Sequence, residues 1–454
     1  MTADASGAAD GARRARRLFG LVELRRGEAA PVALAALYSF CLMASYNFIK
    51  PYREALGTTV PDLSKLWYST LIACTVVLIP YWALVGRMPR QRFIPWVHRF
   101  FEVAFVVLFL LLRDEHEGHT PGIRAAAISF YAGVSAFNLL VLSQFWGFMA
   151  DVFTRDQGQR LFAWIAAGGT AGGLLSSIAT KWTQDHALLE PPSLIWPAIV
   201  LLEAATFAAL RLSARVPPSE WRPTPRSGLL DRLADVGEGA RLFVRSPYLL
   251  AIAGFMFASL FTSAFVYDFQ RILVRETIHD RAAQTSWYAL NNNWQQVVAL
   301  IGQVAVSSRL ISTAGLGVTL ALLPLSGVAA LATFALAPTL EVIKWAQIAF
   351  KGVDYALAKP AREALFTVVS RTEKYQSKSL IDAGLYRAFD AFDSSIVTAL
   401  RDAKVAAPAM AWIAAPVAAL GLPLAWLLSR MQRRRHLVLA PARPVEEVDP
   451  IAEA

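Results

Sequence analysis

The chain is divided into long apolar runs by short polar joints, and this alternation restricts its fold more than any other feature. Residues 31–49 carry no charge, and runs of similar length follow at 66–86, 94–112, 125–150, 161–180, 191–210, 248–267 and 282–308. Four more are placed within 310–340 and at 341–358, 379–400 and 405–429. About 20 apolar residues are needed for one helical crossing of a bilayer, and only internally hydrogen-bonded backbone is tolerated there. The pattern predicts an all-α polytopic membrane protein with twelve transmembrane helices. Composition agrees: 56% of residues are hydrophobic and 17% charged, against about 25% charged in soluble proteins.

A formal charge of +10 could suggest a nucleic-acid partner, but the cations sit mainly in the joints. Arg13, Arg14, Arg16, Arg17, Arg25 and Arg26 precede the first run, Arg87, Arg90 and Arg92 follow the second, and Arg430, Arg433, Arg434 and Arg435 follow the last. The joint from Arg113 to Glu117 is instead acidic. Lys and Arg collect on the cytoplasmic side, so both termini are expected inside a bacterial inner membrane, with lipids as partners and no nucleic acid. The first run is too long for a signal peptide and is expected to remain.

The expected organisation is a cytoplasmic tail at 1–30, a six-helix bundle at 31–210, a linker at 211–247, a second six-helix bundle at 248–429 and a cytoplasmic tail at 430–454. Within the linker, Leu229, Leu230, Leu233, Val236, Ala240 and Phe243 are spaced as on an amphipathic helix lying at the inner surface. Only Cys41 and Cys74 are present, both in apolar runs, which excludes a disulfide framework or a Cys-rich metal site. No Walker sequence occurs. The glycines at Gly168, Gly169, Gly172 and Gly173 lie in an apolar span, where they favour close helix packing over phosphate binding. No cofactor, metal or catalytic residue is expected, and a monomer is favoured.

Charges inside apolar spans are expensive and mark candidate sites. Asn47, Lys50 and Glu54 share a face of the first span, with Arg53 beside them and Pro51 expected to break or kink the helix. Snorkelling of Lys50 and Arg53 to the outer interface is the competing reading. His98 and Glu102 lie one turn apart as either a proton-linked or a structural pair. The eighth span holds Asn291, Asn292 and Asn293 followed by Gln295 and Gln296. Lys344, Gln347, Lys351 and Asp354 form a stripe on the tenth, and Asp382, Tyr386, Asp390 and Asp393 form one on the eleventh, next to Arg387. Pairing between those two stripes would satisfy the charges without a substrate.

Two internal echoes suggest three-helix repeats. Lys50–Leu56 returns as Lys359–Leu365 with six of seven residues identical, and Phe148-Met149-Ala150-Asp151 is echoed by Phe265-Val266-Tyr267-Asp268.

Several segments resemble the nucleotide transporters of plastids and intracellular bacteria, the ATP/ADP translocases, which are similar to the major facilitator superfamily. The first-span family pattern Arg-Asp-x-Lys-Asp corresponds to Lys50-Pro51-Tyr52-Arg53-Glu54, with Pro51 replacing an acid. The Lys-Tyr-x-x-Lys and Ile-Asp elements correspond to Lys374-Tyr375-Gln376-Ser377-Lys378 and Ile381-Asp382, followed by Tyr386-Arg387 and Asp390. Phe145 to Asp151 and Gln159 to Phe162 are similar as well.

The resemblance implies a major-facilitator-like two-bundle fold and alternating-access transport of a nucleotide or organic-phosphate anion, by exchange or with protons. The expected substrate path is Asn47, Lys50, Arg53, Glu54, Asn292, Lys344, Lys351 and Asp354. Candidate coupling or gate residues are His98, Glu102, Asp151, Asp268, Lys374, Lys378, Asp382, Arg387 and Asp390. The alternatives are transport of another anionic solute, or a membrane scaffold presenting the basic segment 359–382.

Overall fold

A computed structural model describes residues 16–18, 22–25, 27–60, 62–85, 88, 90–113, 121–153, 155–215, 241, 243–302, 310, 313–365 and 386–439. The first part is α1 (Ala29–Gly57), α2 (Leu63–Val85), α3 (Arg90–Leu112), α4 (Pro121–Val152), α5 (Arg155–Asp185) and α6 (Ile195–Ser213), the last led by a 3-10 turn over Pro191–Leu194. The second part is α7 (Pro247–Thr277), α8 (Arg281–Ile301), α9 (Gly315–Leu336) and α10 (Leu340–Val353), then a π turn (Asp354–Ala358) and α11 (Lys359–Leu365). It ends with α12 (Tyr386–Asp402), α13 (Ala407–Ala419) and α14 (Gly421–Leu439). A two-stranded antiparallel ribbon, Arg16–Leu18 with Val22–Leu24, adds a small exception to the all-helical expectation.

Helix starts follow the chain's cap chemistry. Asp62 precedes α2 and accepts from the Ser64 backbone N–H at 3.2 Å and from its hydroxyl at 2.6 Å. Partial burial opposes its ionisation, but the Ser64 bonds and the Lys65 ammonium outweigh that and hold its carboxyl below the usual range. Ser246, Asp280 and Thr339 cap α7, α8 and α10 by accepting from the N–H groups of Leu249, Ala283 and Val342.

Among the described residues, seven helical segments are long and apolar enough to cross a membrane. Those that fall short include α8, with its five amides between Asn291 and Gln296, and α10, which is 14 residues long. Among the described residues the expected runs overlap helix, the run at 282–308 only as far as 302 and that at 379–400 only from 386.

Three boundaries need correction. α1 continues through Pro51 to Gly57 instead of breaking there, because packed neighbours can satisfy the backbone group that proline leaves free. The tenth run does not stop at 358: the π turn carries it into α11, whose Pro360 suits the first turn of a helix. The last run divides at Leu420 into α13 and α14.

Packing is closest between α1 and α5. A Cβ at Gly168 would lie 2.5 Å from the Ala36 carbonyl oxygen, and one at Gly172 would collide with the Phe40 carbonyl. The glycines therefore allow helix backbones to touch, as small residues do in membrane interiors. One apolar core collects residues between Val32 and Leu212, with Phe101 and Phe105 edge-on to Phe137 at 5.1 and 5.2 Å. Two others draw on Phe243 to Leu428, where Phe269 stacks on Phe334 at 4.6 Å. Between these regions, α8 packs against α5 and α1, and α12 against α2.

Candidate functional site

A polar cavity of about 220 Å³ lies between the early and late helices, with walls from α1, α2, α4, α7, α8, α10 and α12. Lys50 of α1 projects into it and donates to Asn292 Oδ1 at 2.7 Å. The Asn292 amide in turn donates to Asn47 Oδ1 at 3.0 Å and Ser177 Oγ at 2.6 Å, so three helices fix one lysine partner. From the far wall Lys351 donates to Ser263 Oγ at 2.7 Å. Beside it, Gln347 accepts from Asn291 Nδ2 at 2.6 Å. Each of these two bonds runs to a neutral oxygen, which orients the ammonium in the cavity wall.

Arg53 is held differently. Its Nε donates to the Tyr131 carbonyl at 3.1 Å, its Nη1 to Glu54 Oε1 at 2.8 Å, and its guanidinium lies 3.9 Å from the Tyr131 ring centroid. Arg53 is 8% and Glu54 5% exposed, so this is a buried pair and not a snorkelling one. The second Glu54 oxygen accepts the Tyr267 hydroxyl.

The cavity is bounded at the end where α1 terminates. Helix C-terminal carbonyls lack intrahelical partners and attract cations; here Arg271 of α7 donates to the Gly57 carbonyl and Arg281 of α8 to that of Ala55. Thr58 donates to Gln284 Oε1 at 3.0 Å, the Tyr131 and Tyr267 hydroxyls meet at 2.9 Å, and Ser286 donates to the Asp185 carboxylate. Each of these bonds joins a residue before 215 to one after 241.

Of the expected path residues, the cavity wall contains Lys50, Arg53, Glu54, Asn292 and Lys351, with Asn47 immediately behind Asn292. Lys344 and Asp354 are not among the residues that line the cavity. Lys344 pairs with Glu341 at 2.6 Å, and Asp354 accepts from Arg362 at 3.1 Å.

His98 and Glu102 also lie away from the cavity, against α6. His98 Nδ1 is 2.6 Å from the Thr206 hydroxyl, while Glu102 sits 3.5 Å from Arg99, which binds Glu203 through two bonds. Asp151 is exposed at the end of α4. Asp390 reaches the cavity wall, and Asp268 is fully buried behind it. Lys374, Lys378, Asp382 and the Arg387 side chain lie outside the described residues.

Sequence reasoning did not identify Tyr131, Ser263, Tyr267, Arg271 or Arg281. The tyrosines resemble core aromatics in an apolar run, and the arginines fall in the joint between the seventh and eighth expected spans while the end they close is that of α1.

Comparison with family models finds no match, and comparison with curated proteins finds none either. Solved structures do match over most of the chain. One is a bacterial homologue of the iron transporter ferroportin in an inward-facing state, 14% identical, with a TM-score of 0.64 over 89% of this chain and 100% of that one. A POT family transporter in complex with a thioalcohol-conjugated peptide is 10% identical, with a TM-score of 0.61 over 89% and 96%. The nucleoside transporter NupG is 11% identical, with a TM-score of 0.54 over 89% and 99%. The chain therefore shares the overall helical fold of these solved membrane transporters.

Proposed function

We propose that the protein is a secondary transporter of small organic anions, with phosphate-bearing and nucleotide-like metabolites as the leading class. The observation that carries this reading is the opposed pair Lys50 and Lys351, from α1 and α10, each hydrogen-bonded to a neutral side-chain oxygen at the wall of one polar cavity. A lysine ammonium offers mobile positive charge to phosphate or carboxylate oxygens. Asn291, Asn292, Gln295 and Gln347 supply neutral donors and acceptors around it.

Two six-helix halves, 31–210 and 248–429, would rock about this cavity. With both termini inside, the closed Gly57 end faces outward, and the conformation is one that admits solute from the cytoplasm. Solved structures of the same fold include transporters described as inward-facing, which supports this assignment.

The test is uptake by proteoliposomes of a radiolabelled panel of nucleotides, sugar phosphates and dicarboxylates, with and without the same solute inside. Saturable uptake of one anionic class, lost in Lys50→Gln and Lys351→Gln at equal reconstitution, supports the proposal. Uptake no faster than in protein-free vesicles across the panel overturns it.

A further inference from the structure

Behind the cavity wall, α7 and α12 bury three carboxylates together. Asp390 reaches the cavity, while Asp393, one turn further along the same helix, and Asp268 of α7 are both 0% exposed. Asp393 and Asp268 lie within electrostatic range of one another and of Asp390. Neither oxygen of Asp393 has a hydrogen-bond partner among the described residues, and the same is true of Asp268. The adjacent Ser394 hydroxyl is likewise buried and unpartnered.

Among the described residues, the cations that act on Asp268 are Arg271 and Arg401. Arg271 reaches Asp268 at 3.9 Å, but its Nη2 donates to the Gly57 carbonyl, and Arg401 acts on Asp268 from α12. The facing part of α2 supplies Trp67, Tyr68 and Lys65, of which Tyr68 bonds to Ser395 at 3.0 Å and Lys65 pairs with Asp62 at 3.5 Å. α13 contributes no ionisable side chain.

A fully enclosed carboxylate without donors is untenable as an anion unless something supplies them. A metal ion would need several oxygen ligands in one shell, and among the described residues no group of three or more His, Cys, Asp or Glu side chains is arranged to hold one. A proton requires only one oxygen. We infer that Asp393, with Asp268 and Asp390, forms a proton-binding site reached from the cavity through Asp390. This deepens the transport reading and rests on it for the proton's role in coupling.

Coupling follows from position. Asp268 adjoins Tyr267, which holds Glu54 at the closed end, and α12 also packs against α2. With a proton bound, α7 and α12 can stay together. Without it, neighbouring negative charges repel across their contact and strain the helix that carries the closure.

Infrared difference spectroscopy on the full-length protein in liposomes tests the site without a substrate. In sodium-free buffer, raising the pH from mildly acid to mildly alkaline should remove a carboxylic-acid carbonyl band that shifts in deuterated water. Asp393→Asn should lose that band, and Asp268→Asn should move its midpoint, a second readout should Asp393→Asn fail to reconstitute. No titrating band in the parent protein, the same band in both variants, or a band answering to sodium chloride at constant pH overturns the inference. If no anion of the panel is taken up while the band behaves as expected, the transport reading fails and the proton site stands.

Discussion

Tyr131 and Tyr267 meet hydroxyl to hydroxyl at 2.9 Å, joining α4 to α7 at the closed end of the cavity. Tyr267 also donates to Glu54, and Arg53 lies over the Tyr131 ring, so four side chains share one contact across the two parts of the chain. Tyr267→Phe should remove both phenolic bonds while leaving the ring against Trp67, 5.6 Å away. The loss, about 1–3 kcal/mol, should shift the population toward opening at that end. Spin labels at Lys65 and His279 should report longer separations in the variant; an unchanged distribution would show that the phenol pair does not hold the end shut.

Lys50→Gln and Lys351→Gln should each weaken anion uptake more than they reduce folded protein. Removing one partner of a buried charged contact costs about 2–5 kcal/mol, and 2 kcal/mol is roughly thirty-fold in affinity. The check is apparent affinity in proteoliposomes at matched protein density. Parent-like kinetics in both variants would remove the lysines from recognition.

Gly172→Ala should destabilise the α1–α5 pair, because its methyl group would meet the Phe40 carbonyl. Overpacking of this kind costs about 1–3 kcal/mol. Gly133→Ala is the control, since a Cβ there comes no closer than 3.9 Å to its neighbours. Thermal unfolding in detergent should separate the two, with Gly172→Ala melting earlier; equal melting temperatures would contradict the backbone contact.

Orientation can be read by chemistry. A cysteine replacing His186, just past α5 at the closed end, should react with an impermeant maleimide applied from outside. One replacing His436, after the Arg433–Arg435 cluster, should react only once the membrane is opened. The opposite pattern would invert the assignment.

The helical runs were legible because apolar length is a strong signal, and their boundaries blurred where that signal was diluted. α8, α10 and α12 carry Asn292, Lys351 and Asp390 to the cavity, so the residues that make the site also make these helices look least like membrane spans. Charges in the site could be read from their cost, which is why Lys50, Arg53, Glu54 and Lys351 stood out. Tyr131 and Tyr267 could not, since a tyrosine in an apolar run looks the same whether it packs or closes a gate. The outer members of the stripe, Lys344 and Asp354, pair with Glu341 and Arg362, close in sequence, which helical spacing alone does not reveal.

The polarity of α8 has a further consequence, for biogenesis. A segment with five amides between Asn291 and Gln296 is a poor candidate for leaving the translocon alone into lipid, where each uncompensated polar group is penalised. Its Asn292 finds Asn47 and Ser177 on helices synthesised earlier. The first part of the chain thus serves as an intramembrane template for the second, and a lesion at the α1–α5 contact should appear in a cell as failed insertion of α8, well downstream of the altered codon.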